Sequence, residues 1–153
     1  MKGRACADGR KQREDAVKGE AASPTMSLES VLLTAVVEAA ENRDIAVLDI
    51  PNAFVQTDME GETVFMKLRG KLAELLVRTA PELCRKFVVD ENGKTALHVE
   101  LLKALHGCLK SALLFYKKLR ADLESIGFEI NPCDPCVANK ITNEKQFTEK
   151  FLK

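Results

Sequence analysis

The residue with the clearest chemical potential is Asp49, set in Val47-Leu48-Asp49-Ile50-Pro51-Asn52-Ala53-Phe54-Val55. Residues 45–48 form an apolar, partly β-branched run of the kind that suits a strand covered on both faces. Such a strand seldom carries a carboxylate. Pro51 removes a backbone donor and stops the pairing, so Asp49 is expected at the mouth of a buried strand, with Phe54 five residues on. An oxygen donor held on a rigid element beside reachable backbone is a natural cation ligand. The alternative is a capping or salt-bridged Asp at a strand end.

Cys133-Asp134-Pro135-Cys136 is the other grouping whose residue types could do chemistry. A structural zinc site wants four ligands, and Cys84 and Cys108 are isolated rather than paired at the usual spacing. A redox pair belongs at a helix N-terminus, whereas this one precedes a strand. Two small, half-buried thiols in a turn is the reading that remains. His98 is expected on the outer face of a hairpin beside Glu100 and receives no role.

The elements that must position these residues follow from periodicity and punctuation. Ser27 reads as an N-cap, and from Leu28 the residues Val31, Leu32, Ala35, Val36 and Ala39 recur at helical spacing, with Glu29 in the first turn. That helix is expected to lay this face on a sheet. Residues 63–68 alternate as a second strand, residues 71–78 form a short helix with Leu72, Leu75 and Leu76 inward, and Pro81 opens another short helix. Residues 87–89 and 97–101 flank a hairpin turn at Asn92-Gly93. The longest helix is expected over 111–126, with Ala112, Leu113, Tyr116, Leu119, Leu123 and Ile126 inward and Gly127 as its C-terminal cap. Residues 137–141 and 145–148 are expected as strands around a turn at 142–144.

The bulk properties exclude little and exclude it cleanly. With 153 residues the chain is long enough for one domain with a core or for part of a larger one. Its 23 basic and 23 acidic side chains cancel, so any nucleic-acid binding must be local. Lys2, Arg4, Arg10, Lys11 and Arg13 stand against Asp8 alone at the start, a basic segment that otherwise reads as a solvated terminus. No signal-peptide core follows it and no stretch reaches the ~20 apolar residues of a membrane span, so an intracellular location, cytoplasmic or nuclear, with no membrane partner is expected. Five cysteines, an odd number, point to reduced thiols.

Taken in order, several spaced motifs resemble the reverse transcriptase domain of copia-type long-terminal-repeat retrotransposons. Lys2-x-Arg4-x-x-Ala7-x-Gly9-x-x-Gln12 is similar to the family's basic fingers strand, and Ser23-Pro24-Thr25 to the segment leading into the palm. Asp49-Ile50-x-x-Ala53-Phe54 resembles its first catalytic motif, and Glu60 followed by Val64-Phe65-Met66 the strand after it. Leu102-Lys103-Ala104-Leu105-His106-Gly107-Cys108-Leu109-Lys110 is similar to the nucleotide- and template-side motif, with Tyr116-x-x-Leu119, Gly127-Phe128 and Asp134-Pro135-Cys136 completing the series. The likeness runs from about residue 2 to about residue 148.

The resemblance implies an α+β fold, the fingers–palm portion of a polymerase, with a mixed or antiparallel sheet and helices packed on one face. Residues 1–24 would be the basic fingers strand and loop, 25–148 the partial fingers/palm domain and 149–153 an unmatched tail. It implies RNA-directed DNA synthesis, in which a primer 3′-hydroxyl attacks the α-phosphate of a dNTP between two Mg2+ ions. Asp49, with the carbonyl of Ile50, would ligate metal. Phe54 would close against the sugar and reject a 2′-hydroxyl, Arg4 and Lys2 would neutralise the triphosphate, Gly107 would let backbone approach the nascent pair, and Lys110 would touch nucleic-acid backbone. The implied partners are an RNA or DNA template–primer, dNTP and the remainder of a retrotransposon polyprotein.

The chain also departs from that pattern. The family's palm needs an aromatic-x-Asp-Asp hairpin, and this sequence has no Asp-Asp pair; it stops just short of where the family would reach that motif. One carboxylate cannot hold two magnesium ions, so the chain by itself is expected to be inactive, or to be a non-catalytic transposon remnant or a nucleic-acid- or protein-binding fragment. His106 stands where the family commonly has Tyr, and Leu113-Leu114-Phe115 where it has Pro-Arg-aromatic. An uncovered sheet edge and helix face are expected to make the chain marginally stable and prone to aggregate.

Overall fold

The computed structural model describes residues 6–15, 22–61 and 63–151. It is a mixed α+β arrangement built on two separate three-stranded antiparallel sheets. Short helix α1 (Arg10–Asp15) and the longer α2 (Leu28–Ala40) come first, followed by an irregular stretch and a single 3-10 turn over Ala53–Gln56. Strand β1 (Phe65–Arg69), helices α3 (Lys71–Thr79) and α4 (Pro81–Cys84), and strands β2 (Val88–Glu91) and β3 (Lys94–Glu100) make the first sheet, in the order β1-β3-β2, with α3 packed on β1 and β3. Helix α5 (Ser111–Ser125) then leads into β4 (Glu129–Ile130), β5 (Val137–Thr142) and β6 (Lys145–Lys150), the second sheet.

Local chemistry accounts for most boundaries. The Ser27 hydroxyl accepts from the Ser30 amide at 3.0 Å at the start of α2, and Asn42 takes a left-handed φ of 49° just past its end. Asn92 and Gly93, with φ of 54° and 77°, make the tight turn between β2 and β3 whose twist matches the strands. The Asp90 carboxylate accepts the Gly93 amide at 2.8 Å within that turn. After α5 the amides of Gly127 and Phe128 return to the carbonyls of Glu124 and Leu123, both at 3.0 Å.

The two sheets have different cores. Ala73 of α3 and Ala96 and Leu97 of β3 are buried at the first. At the second, Met26, Cys136 and Val137 are buried, with Val31, Tyr116 and Phe151 packed around them. Asp134 holds this second core to α2: one carboxylate oxygen accepts the Ser27 amide at 3.1 Å and the other the Cys136 amide at 2.9 Å. The hydrogen bonds that Asp134 makes, above all with Ser30, hold its carboxyl below the usual carboxylate range against the opposing effect of burial. A second tie is the ion pair between Glu38 and Lys150 at 2.6 Å, whose side chains are 9% and 18% exposed. The Arg43 guanidinium reaches the Thr148 hydroxyl at 3.2 Å beside it.

Several sequence expectations are corrected here. Residues 45–48 do not form a strand; they are extended and unpaired, and Ile45, Val47 and Leu48 are exposed. A strand needs a ladder partner, and none of the described strands pairs with this run. Most of the apolar stripe of α2 is not its packed face: Leu32 and Val36 are exposed, while Val31 alone of the stripe packs on the second core and the buried position is Glu38. The face that turns in carries Val31 against the second core and Glu38 in the ion pair to β6, with Ser27 at the helix start tied to Asp134. On α3 the buried residue is Ala73, while Leu72 and Leu75 are exposed. One sheet with helices on one face is replaced by two sheets, and β6 runs on to Lys150. Within the basic start Arg10–Asp15 is helical, and the expected basic strand at residues 1–5 lies outside the described residues.

Glu38→Ala should leave the Lys150 ammonium buried and unpaired and cost about 3 kcal/mol of unfolding free energy in a urea titration, while Glu38→Leu with Lys150→Met should recover most of it. Because the folded-state pKa of Asp134 lies below the unfolded one, its contribution is fully present above the ordinary carboxylate pKa and is lost as pH falls through the lowered value. Acid titration of Asp134→Asn should therefore show a shallower loss of stability than the parent chain.

Candidate functional site

Three sequence-distant segments meet around residues 101–111. Phe54, held by the 3-10 turn over Ala53–Gln56, packs edge-on against His106 with ring centroids 4.5 Å apart and planes at 62°. It packs in the same way on Phe115 of α5 at 6.0 Å and 75°. Two rings in edge-to-face contact fix the position of a third more tightly than aliphatic packing would. The turn that delivers Phe54 is set by Asn52, at a left-handed φ of 54°, and by the Gln56 amide group donating to the Pro51 carbonyl at 2.7 Å.

The segment before α1 closes over the same loop. The Ala7 amide donates to the His106 carbonyl at 2.6 Å, and the Leu109 amide donates to Gln12 Oε1 at 3.0 Å. Gly107, at φ of +92°, faces the Ala7 backbone so closely that a Cβ would overlap it, and a Cβ on Gly9 would overlap the Gly107 carbonyl. Two glycines are thus required at one crossing, each for lack of a side chain. Below the loop, Ser111 Oγ donates to the Leu105 carbonyl at 2.8 Å and accepts the Leu105 amide at 3.2 Å. Burial pushes the neighbouring Cys108 thiol up, so it stays protonated and unreactive at neutral pH.

The residues singled out from sequence fare unequally. Phe54 meets His106, next to Gly107 in the chain, and Lys110 is half-buried at the start of α5. Lys2 and Arg4 lie outside the described residues, although Ala7 to Gln12, which follow them, are in contact with the loop. Asp49 and Ile50 sit on the exposed, unpaired stretch rather than at the end of a buried strand. Gly107 has a purpose within the chain itself, since the space beside it is filled by the Ala7 backbone. Asp134, unassigned in the sequence reading, is a buried structural cap; its signal was the Asp placed two residues before Cys136, where a side chain bonds its own backbone.

Among the described residues no three or more His, Cys, Asp or Glu side chains are grouped to hold a metal ion. Asp49, exposed and single, does not fit the donor set that two magnesium ions need. Among the described residues no helix is long and apolar enough to cross a membrane. No family model, no curated protein and no solved structure matches this chain.

Gly107→Ala should destabilise the chain by about 2 kcal/mol or more, from the left-handed backbone alone, and release the segment ahead of α1. Amide exchange at Ala7 and Leu109 is expected to accelerate together while exchange in β3 is unchanged.

Proposed function

We propose that this chain is the fingers–palm part of a copia-type reverse transcriptase, contributing nucleotide and template–primer contacts but not the complete catalytic centre. The observation that carries the reading is the convergence just described. Motif segments far apart in sequence, Ala7 to Gln12, Ala53-Phe54 and Leu102 to Lys110, lie together around the Phe54–His106 contact, as a shared nucleotide site requires. In this role Phe54, braced by two rings, closes against the sugar of a dNTP and rejects a 2′-hydroxyl. Lys110 contacts nucleic-acid backbone, and Arg4 and Lys2 neutralise the triphosphate.

The Mg2+-dependent transfer itself needs carboxylates that this sequence lacks, so the chain alone is proposed to be inactive. The exposed, single Asp49 favours a second reading, a non-catalytic transposon remnant or a nucleic-acid- or protein-binding fragment.

One measurement separates these readings, and a second tests the inactivity they share. Sequencing the transcript and its genomic locus beyond the Lys153 codon should reveal an aromatic-x-Asp-Asp motif within a few tens of codons, in frame or one shift away; its absence from every frame leaves the remnant. Primer extension by this chain, with a template–primer, dNTPs and Mg2+, should give no incorporation above a protein-free control, and measurable incorporation would refute the inactivity assigned here.

A further inference from the structure

Behind Phe54 lies an open recess of about 210 Å³ between the 3-10 turn, the N-terminal half of α5 and the end of β6. Its walls include Phe54, Phe115, Tyr116, Leu119 and Phe151. Both side-chain hydroxyls in those walls are already engaged. The Tyr116 hydroxyl donates to the Pro135 carbonyl at 3.0 Å, and the Ser23 hydroxyl on the rim donates to the Pro24 carbonyl at 3.2 Å. A guest therefore finds aromatic edges and aliphatic carbon, with no charged partner. Water gains little in such a space, since an ordered water wants two to four polar partners.

We infer that this recess is a binding site for one uncharged, single-ring aromatic ligand. Size decides between guests. An apolar cavity of about 150 Å³ holds benzene, whereas drug-sized ligands need about 300 Å³ or more. The space here matches one ring with a small substituent, and a larger guest would protrude from its open side. Tyr116 and Phe151 are themselves in edge-on contact with centroids 6.3 Å apart, so a ring seated among them extends an existing aromatic cluster. Phe54 belongs both to this wall and to the contact with His106, so an occupied recess restrains the ring that faces the proposed nucleotide side. The binding itself stands apart from the polymerase reading.

The probe is fluorobenzene, followed by its 19F resonance on titration with the full chain. Saturable broadening with a Kd of about 1 mM or tighter is expected. Intermolecular NOEs should run from the probe to the rings of Phe54, Phe115 and Phe151 and to Tyr116, the chain's single tyrosine. Ala112→Leu, which places a side chain into the recess, should weaken binding about tenfold or more, while Leu83→Ala, at a remote exposed position, should leave it unchanged. The NOEs on the unaltered chain decide the matter if the Ala112 variant does not fold. Absence of saturation up to the solubility limit, or NOEs to the exposed leucines of α2 instead, would overturn the assignment.

Discussion

The structure depends on how residues 101–109 satisfy their backbone hydrogen bonds. This stretch lies outside the regular helices and strands, yet Ala104 and Cys108 in it are buried, and a buried peptide group left unpaired is costly. Several of its groups are therefore sent to distant parts of the chain. The Leu101 amide goes to Val64, the Leu102 carbonyl receives the Met59 amide, the Ala104 amide goes to Thr57, and the His106 carbonyl receives the Ala7 amide. The side chains of Ser111 and Gln12 take the remaining groups of Leu105 and Leu109. One irregular segment so becomes the seam that joins the N-terminal piece, the turn carrying Phe54, the first sheet and α5.

That seam explains why the candidate site is built from loops and yet has defined geometry. Phe54, His106 and Phe115 come from three elements, and none would hold its ring in place alone. The backbone bonds set the spacing, and the ring contacts then set orientation. The glycine crossing works in the same way: Gly9 and Gly107 are exposed to very different degrees, yet both exist to let two backbones touch. A side chain at either would push the N-terminal segment off the loop and open the site from above.

Against this order stands a large uncovered apolar surface. Leu28, Leu32, Leu33 and Val36 on α2, together with Ile45, Val47 and Leu48 on the unpaired stretch, face solvent. Surfaces of this kind mark an interaction face or an aggregation hazard. The Glu38–Lys150 pair intensifies the effect, since it docks α2 on β6 by its polar side and leaves the leucines outward. Helix α2 is thus specified by its cap and its own periodicity, but its inner face is set by long-range contacts, Val31 on the second core, Ser27 with Asp134 and Glu38 with Lys150, that those signals do not contain.

What the sequence by itself determined was local. The Ser27 cap, the Asn92-Gly93 turn, the extent of α5 and its Gly127 stop, and the hairpin of β5 and β6 are all written in residues within a few positions of the feature they create. Periodicity likewise marked α2 and α3 as helices, because propensity and capping act within a few turns. Only the tertiary structure decided which faces were buried, whether residues 45–48 found a partner strand, and that one sheet became two. Those outcomes rest on contacts between residues about a hundred positions apart, such as Glu38 with Lys150 and Ser27 with Asp134. An apolar run states that it would gain by being covered; only the rest of the fold states whether anything is there to cover it.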